Sequence, residues 1–263
     1  MTRSLLLSLS EAPAALIVAH PGHELRVFAW MEKARPLVSV LTDGSGREGI
    51  SRMDSTERTV AQAGAKKSAV FGRLSDREIY RALLRGEHTL FVELMDELAA
   101  EWARANIACV VAEAAEGHSP THDLCRFLAG FSARKAARLS GRPIADFEYP
   151  LLARHDVAAG DAASESVCIE LTEDDLQRKL AAAHDYPELA TEVEIAITAL
   201  GFDPFRIERL TPADLEKTWA RLDERAPFYE RQAEKLVAQG VYSEVIRYRK
   251  HLAPLLDALA SNI

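Results

Sequence analysis

The sequence predicts an α/β protein with a mostly parallel sheet that carries helices on both faces. Short apolar, β-branched runs alternate along the chain with longer segments of helical periodicity. The runs at 14–19 and 107–112 are apolar throughout, which is typical of parallel strands buried on both faces. Because crossovers between parallel strands are right-handed, this alternation predicts a three-layer, doubly wound, Rossmann-like arrangement.

The order of elements follows from the same patterns. Helical periodicity is expected after each early strand, and Thr172 is expected to cap the helix that follows the last strand. The predicted strands cover 14–19, 37–41, 68–71, 107–112, 144–149 and 166–171, and the predicted helices cover 25–33, 54–67, 88–105, 122–139 and 172–184.

The alternation of strand and helix patterns stops near residue 187, after which only helical patterns appear. Thr211 and Pro212 resemble a helix cap followed by a first-turn proline. The helix that they predict extends to Gln239, and Pro227 is expected to break or kink it. A last helix is expected from Ser243 to about residue 260. The sequence therefore predicts an α/β domain over 1–189 and a helical appendage over 190–263 that packs on it.

Composition excludes several classes of protein. The chain has 263 residues, is 48% hydrophobic and carries a net charge of −8, which argues against a nucleic-acid partner. Three separated cysteines give no disulfide framework and favour a reducing compartment. No apolar stretch approaches membrane-spanning length. The sequence thus predicts a cytoplasmic protein without a membrane partner, and a homo-oligomer is compatible with it.

Histidines gather where predicted strands end. His20 and His23 follow the first strand, and His118 and His122 follow the strand at 107–112. Ligands of open parallel sheets bind at the carboxyl ends of the strands. Neutral imidazole is a common metal ligand, and three imidazoles with a water form a known catalytic zinc set. The alternative is that these are ordinary surface or capping histidines.

Short motifs at these positions resemble those of the PIG-L/LmbE-like family of zinc-dependent N-deacetylases. Residues 19–24 read Ala-His-Pro-Gly-His-Glu where the family has Ala-His-Pro-Asp-Asp-Glu. Residues 42–44 read Thr-Asp-Gly, residues 120–122 read Pro-Thr-His, and Lys179 with Ala182 matches the family's Lys-x-x-Ala pattern. The resemblance covers roughly residues 12–185.

The resemblance implies a site for Zn²⁺ or another divalent transition metal held by His20, His23 and His122. His23 stands where the family has a ligating Asp, so three neutral ligands would leave the ion more electrophilic. Gly22 stands where the family has the Asp that acts as general base, and its lack of a side chain is expected to widen the pocket there.

Three further residues are candidates for the chemistry. The resemblance implies that His118 stabilises the oxyanion. Asp43 either orients a ligand imidazole or opens a turn with Gly44, and Glu24 either reaches the metal site or stabilises the start of the following helix.

Three functions remain open from the sequence. The first is a metal-dependent hydrolase of the N-deacetylase type, with an N-acyl amino sugar or related polar small molecule as substrate. The second is a non-catalytic relative that binds a sugar or a partner protein, which the loss of the base at Gly22 favours. The third is a metal-dependent esterase.

Overall fold

The computed structural model describes residues 11–46, 49–152 and 166–263. Its strands form one seven-stranded sheet. The strands are β1 (Ala14–Val18), β2 (Leu37–Thr42), β3 (Lys66–Leu74), β4 (Cys109–Glu113), β5 (Ala145–Tyr149), β6 (Val167–Glu170) and β7 (Ile207–Pro212).

The strand order is β3-β2-β1-β4-β5-β7-β6. Neighbours from β3 to β5 are parallel, whereas β7 runs antiparallel to both β5 and β6. Short 3-10 turns cover His23–Val27, Pro187–Leu189 and Asp203–Arg206, and a π-helical turn covers Tyr248–Leu252. The helices are α1 (Phe28–Ala34), α2 (Met53–Gln62), α3 (Asp76–Arg85), α4 (His88–Arg104), α5 (Pro120–Ser140), α6 (Glu173–His184), α7 (Ala190–Leu200), α8 (Leu215–Glu224), α9 (Phe228–Ala238) and α10 (Ala253–Ser261).

The sheet separates two apolar cores, as a doubly wound fold requires. Successive side chains of β1 point to opposite faces. Ile17 packs in the core formed with α4, α5 and α10, while Leu16 and Val18 pack in the core formed with α1, α2 and α6. The three-layer α/β prediction is therefore confirmed, and so are the six predicted strands.

The expectation of a purely helical tail is wrong. Residues 207–212 form β7, which lies in the sheet between β5 and β6. Pro212 ends this strand opposite Phe147, and Asp214 caps α8 by accepting a hydrogen bond from the Lys217 N–H. The predicted helical break at Pro227 is confirmed. Helix α3 is not among the helices expected from the sequence.

A buried ion pair explains why the sequence of β7 does not have the pattern of a buried strand. Glu208 looks like a surface residue in the sequence, but it is fully buried and accepts hydrogen bonds from the Ala29 and Trp30 N–H groups at the start of α1. Lys179 of α6 lies 2.8 Å from Glu208 and balances its charge. The charged residue in this strand therefore caps a helix of the core.

The longest described helix, α5, has 21 residues and carries the charged residues Asp123, Arg126 and Arg134. Among the described helices, none combines the length and hydropathy that a bilayer crossing needs.

Candidate metal centre

The site lies where the sheet order reverses, between β1 and β4. His20 follows the end of β1, Glu113 is the last residue of β4, and His122 is in the first turn of α5. Parallel pairing of Ile17 with Ala112 brings both strand ends to one edge. This switch point is where open α/β sheets bind ligands.

The structure brings the three predicted ligand histidines together. The ring centroids are 5.3 Å apart for His20 and His23, 5.1 Å for His20 and His122, and 4.8 Å for His23 and His122. Three imidazoles on one tetrahedral zinc have centroids about 5 Å apart, given zinc–nitrogen distances of about 2 Å. The rings thus have the spacing that a shared ion requires.

Glu113 joins this cluster and was missed in the sequence analysis. Potential ligand atoms of His23, Glu113 and His122 all lie within 4.8 Å of one another. Glu113 Oε2 is 3.0 Å from His23 Nδ1 and 3.7 Å from His122 Nδ1. Ligand atoms around a tetrahedral zinc are about 3.3 Å apart. The signal in the sequence was a single acidic residue ending an apolar strand.

Burial and charge at Glu113 fit a bound cation. The residue is 0% exposed, its Oε1 accepts a hydrogen bond from the Ala19 N–H, and its Oε2 is without a hydrogen-bond partner in the described structure. Burial opposes ionisation, but His23 and His122 outweigh it and lower the pKa of Glu113 to about 2. A buried carboxylate is costly unless its charge is fully compensated, and a cation beside it would supply that compensation.

His122 is held in the state that a metal ligand needs. Burial lowers its pKa to about 3 against the opposing effect of Glu113, so the imidazole is neutral at neutral pH. His23 Nδ1 is also buried without a hydrogen-bond partner in the described structure. His23 Nδ1 and Glu113 Oε2 therefore face each other beside the neutral ring of His122.

His20 is engaged differently, by Asp76. Its Nδ1 lies 2.9 Å from Asp76 Oδ1 and 2.8 Å from Thr42 Oγ1, which leaves Nε2 as its other ring nitrogen. Burial opposes ionisation of Asp76, but contacts with His20, Thr42 and Gly46 lower its pKa to about 2. Asp76 is the first residue of α3. The Ser-x-x-Glu capping box of residues 75–78 is the sequence signal that marks the start of this helix.

Asp43 and Glu24 lie near the site with other partners. Asp43 Oδ1 accepts a hydrogen bond from the Ser45 N–H at 2.9 Å, which is the turn geometry left open as an alternative. Glu24 is buried and accepts hydrogen bonds from the Gly22 N–H at 2.8 Å and the Thr56 hydroxyl at 2.9 Å. Burial raises the pKa of Glu24. Both carboxylates hold the local backbone.

The expected widening at Gly22 is wrong. Gly22 has φ +100°, and a Cβ placed on it would overlap Leu189 Cδ1 and lie 3.7 Å from Tyr186 Cζ. The 3-10 turn after α6 therefore fills the space beside this glycine. Leu189 and Tyr186 put apolar surface where extra room was expected.

A cavity of about 950 Å³ opens from the site. His20, His23 and His118 line one end of it, and His118 is exposed, with its ring 5.1 Å from that of Phe228. The Tyr229 N–H donates to the Gly117 carbonyl at 3.1 Å and ties α9 to the loop of His118. The walls include Tyr80 and Leu84 of α3, and Leu236, Val241, Tyr242 and Ile246 of the tail.

Solved structures share this fold. No family model and no curated protein matches the chain. A deacetylase of teicoplanin biosynthesis is similar with a TM-score of 0.55 at 15% identity, covering 76% of this chain and 97% of that one. The A40926 pseudoaglycone deacetylase Dbv21 gives 0.52 at 18%, covering 76% and 96%. The zinc-inhibited form of teicoplanin deacetylase gives 0.53 at 14%, covering 76% and 97%. The chain thus has the LmbE-like deacetylase fold.

Proposed function

We propose that this protein is a metal-dependent hydrolase that removes an N-acyl group from an amino sugar or a related polar small molecule. The observation that carries the proposal is the buried carboxylate of Glu113, whose Oε2 lies beside the Nδ1 atoms of His23 and His122. This cluster adjoins a large cavity in a fold shared with deacetylases.

We assign the metal to His23, Glu113 and His122. When bound there, Zn²⁺ or another divalent transition metal supplies Lewis-acid polarisation of a carbonyl and acidifies water. Two neutral imidazoles and one carboxylate reproduce the ligand charge of the family's His, Asp and His set. The carboxylate comes from β4 in this chain, because position 23 is occupied by His.

His20 and His118 are assigned to the substrate side of the site. Asp76 fixes the His20 ring through Nδ1, so that Nε2 is available to hold or move a proton. His118 lines the cavity, where an imidazole can donate a hydrogen bond to the acyl oxygen of a substrate. Asp43 and Glu24 receive no proton-transfer role, because their carboxylates accept hydrogen bonds from nearby backbone and hydroxyl groups.

The first test is metal content by plasma mass spectrometry. The purified protein is expected to bind about one divalent ion per chain, and His23→Ala is expected to lose it. His184→Ala is the control, since His184 is exposed at the end of α6. Wild-type protein that takes up no stoichiometric metal after incubation with zinc, manganese or cobalt would sink the proposal.

The second test is amine release from N-acetyl amino sugars by the metal-loaded protein, with aryl esters assayed in parallel. The expected result is amide hydrolysis that His23→Ala abolishes. Turnover of esters alone would assign the esterase function instead.

A non-catalytic binding protein is the second candidate function, and one observation favours it. The position of the family's base carries no side chain, and Leu189 fills the adjacent space. A metal-loaded protein that binds N-acetyl amino sugars without releasing amine would support this function.

A further inference from the structure

We propose that the α3 wall of the cavity binds the anionic group, a carboxylate or a phosphate, of an amphipathic ligand. The anion site itself rests on a separate group of residues and stands or falls on its own test.

Three arginines project from one face of α3 into the cavity. Arg77, Arg81 and Arg85 all line it and are exposed, and their spacing of four residues places them on one helix face. Arg77 adjoins Asp76, which contacts His20. Because a helix rises 1.5 Å per residue, Arg81 lies about 6 Å further along the axis of α3 than Arg77 does.

The arginines give the cavity a local charge opposite to that of the whole chain. Arg52 also lines the cavity, whereas the two acidic lining residues are engaged elsewhere, Asp76 with His20 and Glu244 with Lys250 at 3.2 Å. The protein as a whole carries −8. A cleft lined by one sign of charge concentrates ligands of the opposite sign.

Arg77 and Arg81 are available to such a ligand. Arg85 lies 3.6 Å from Glu87, and Glu78 of the same helix is held by Ser75 in the capping box. Arg81 attracts the Glu78 carboxylate, but within the part of the chain that the structure describes neither Arg77 nor Arg81 lies at ion-pair distance from an acidic side chain. A free guanidinium offers the planar pair of donors that carboxylates and phosphates accept.

The rest of the cavity adds apolar surface to this charge. Leu84 lies between Arg81 and Arg85 on α3, and Leu236, Val241 and Ile246 line the cavity from the tail. Apolar walls exclude water and strengthen a nearby charge pair. A ligand that satisfies both features has an apolar segment and one negatively charged group.

Binding of three matched probes tests the proposal by isothermal titration calorimetry. Octyl phosphate, nonanoate and octyl glucoside share one octyl chain and differ in head group. We expect at least one anion to bind about tenfold more tightly than the glucoside, and the tighter anion identifies phosphate or carboxylate as the source. Equal affinity for all three probes would overturn the proposal.

Matched variants locate the anion. The double variant Arg77→Gln, Arg81→Gln is expected to lose the tenfold preference while glucoside affinity stays within about twofold. Arg104→Gln removes an exposed arginine at the end of α4, outside the cavity, and is expected to change nothing. Retention of the preference in the double variant would contradict the assignment.

The same titrations in chelator-treated protein and in His23→Ala separate this proposal from the metal site. We expect the anion preference to survive in both, whatever the metal content or the activity. Its disappearance in both would mean that the anion binds at the metal centre, and the arginine site would be wrong.

Discussion

Two carboxylates contact imidazoles at opposite sides of the site, and their surroundings differ. Glu113 is fully buried at the end of β4, where its Oε2 faces the Nδ1 atoms of His23 and His122. Asp76 lines the cavity at the start of α3, retains 13% side-chain exposure and accepts a hydrogen bond from the Gly46 N–H. A carboxylate–imidazole contact therefore occurs once in the buried interior, at Glu113, and once at the wall of the cavity, at Asp76.

This difference assigns different roles to the two carboxylates. Glu113 has no contact with water, so His23, His122 and the Ala19 N–H offset its charge, and in the proposed function a cation would do so as well. At the cavity wall water and backbone share the charge of Asp76, which leaves it suited to orient His20. Burial alone does not distinguish the two roles, since Glu24 and Glu208 are as buried as Glu113; what sets Glu113 apart is that it faces two imidazoles.

The largest effect should follow from breaking the buried side. Glu113→Gln keeps an acceptor for the Ala19 N–H and removes the negative charge, so we expect zinc affinity to fall at least about 100-fold. Competition with a chromophoric chelator measures it. Glu24→Gln is the matched control, since Glu24 is equally buried but accepts from Gly22 and Thr56. Equal affinity in Glu113→Gln and wild type would remove Glu113 from the ligand set.

The cavity side should respond through activity. Asp76→Asn is expected to lower kcat/KM by about 10- to 100-fold while metal content stays at the wild-type value, because only the orientation of His20 is disturbed. His20→Ala should likewise retain the metal. Loss of metal in His20→Ala would instead establish the three-histidine ligand set that the sequence predicted.

A smaller effect concerns the turn between the two histidines. Gly22→Ala forces a side chain into a left-handed conformation and onto Leu189, and we expect it to destabilise the fold by about 2 kcal/mol. Thermal unfolding should show a Tm lower by about 4–8 °C.

Gly141→Ala separates the two causes of that loss. Gly141 has φ +67° and nothing within 4 Å of its Cβ position, so it should lose only about 1 kcal/mol. Leu189 is partly buried, and replacing it with Ala in Gly22→Ala should cost less than the same replacement in wild type, since it also removes the clash with the new Cβ. Identical Tm values for Gly22→Ala and Gly141→Ala would refute the contact with Leu189.

The sequence predicted the elements whose patterns are local. Continuous apolar runs located six strands, and histidines after β1 and β4 located the site. Glu113, Asp76 and Glu208 escaped because most of their partners lie far away in the sequence, such as Ala19 for Glu113 and Lys179 and Ala29 for Glu208. The filling of the space beside Gly22 by Leu189 is a tertiary contact of the same kind. Periodicity carries no information about such contacts.

The place of β7 has a consequence for any attempt to shorten the protein. A fragment that stops at residue 189 lacks the strand bonded to both β5 and β6. β5 would become a bare edge, β6 would lose its backbone partner, and Lys179 would be stranded without a counterion. Through β7, residues 190–263 complete the sheet whose strand ends carry the histidines, and the amino-terminal part alone would lack that completed sheet.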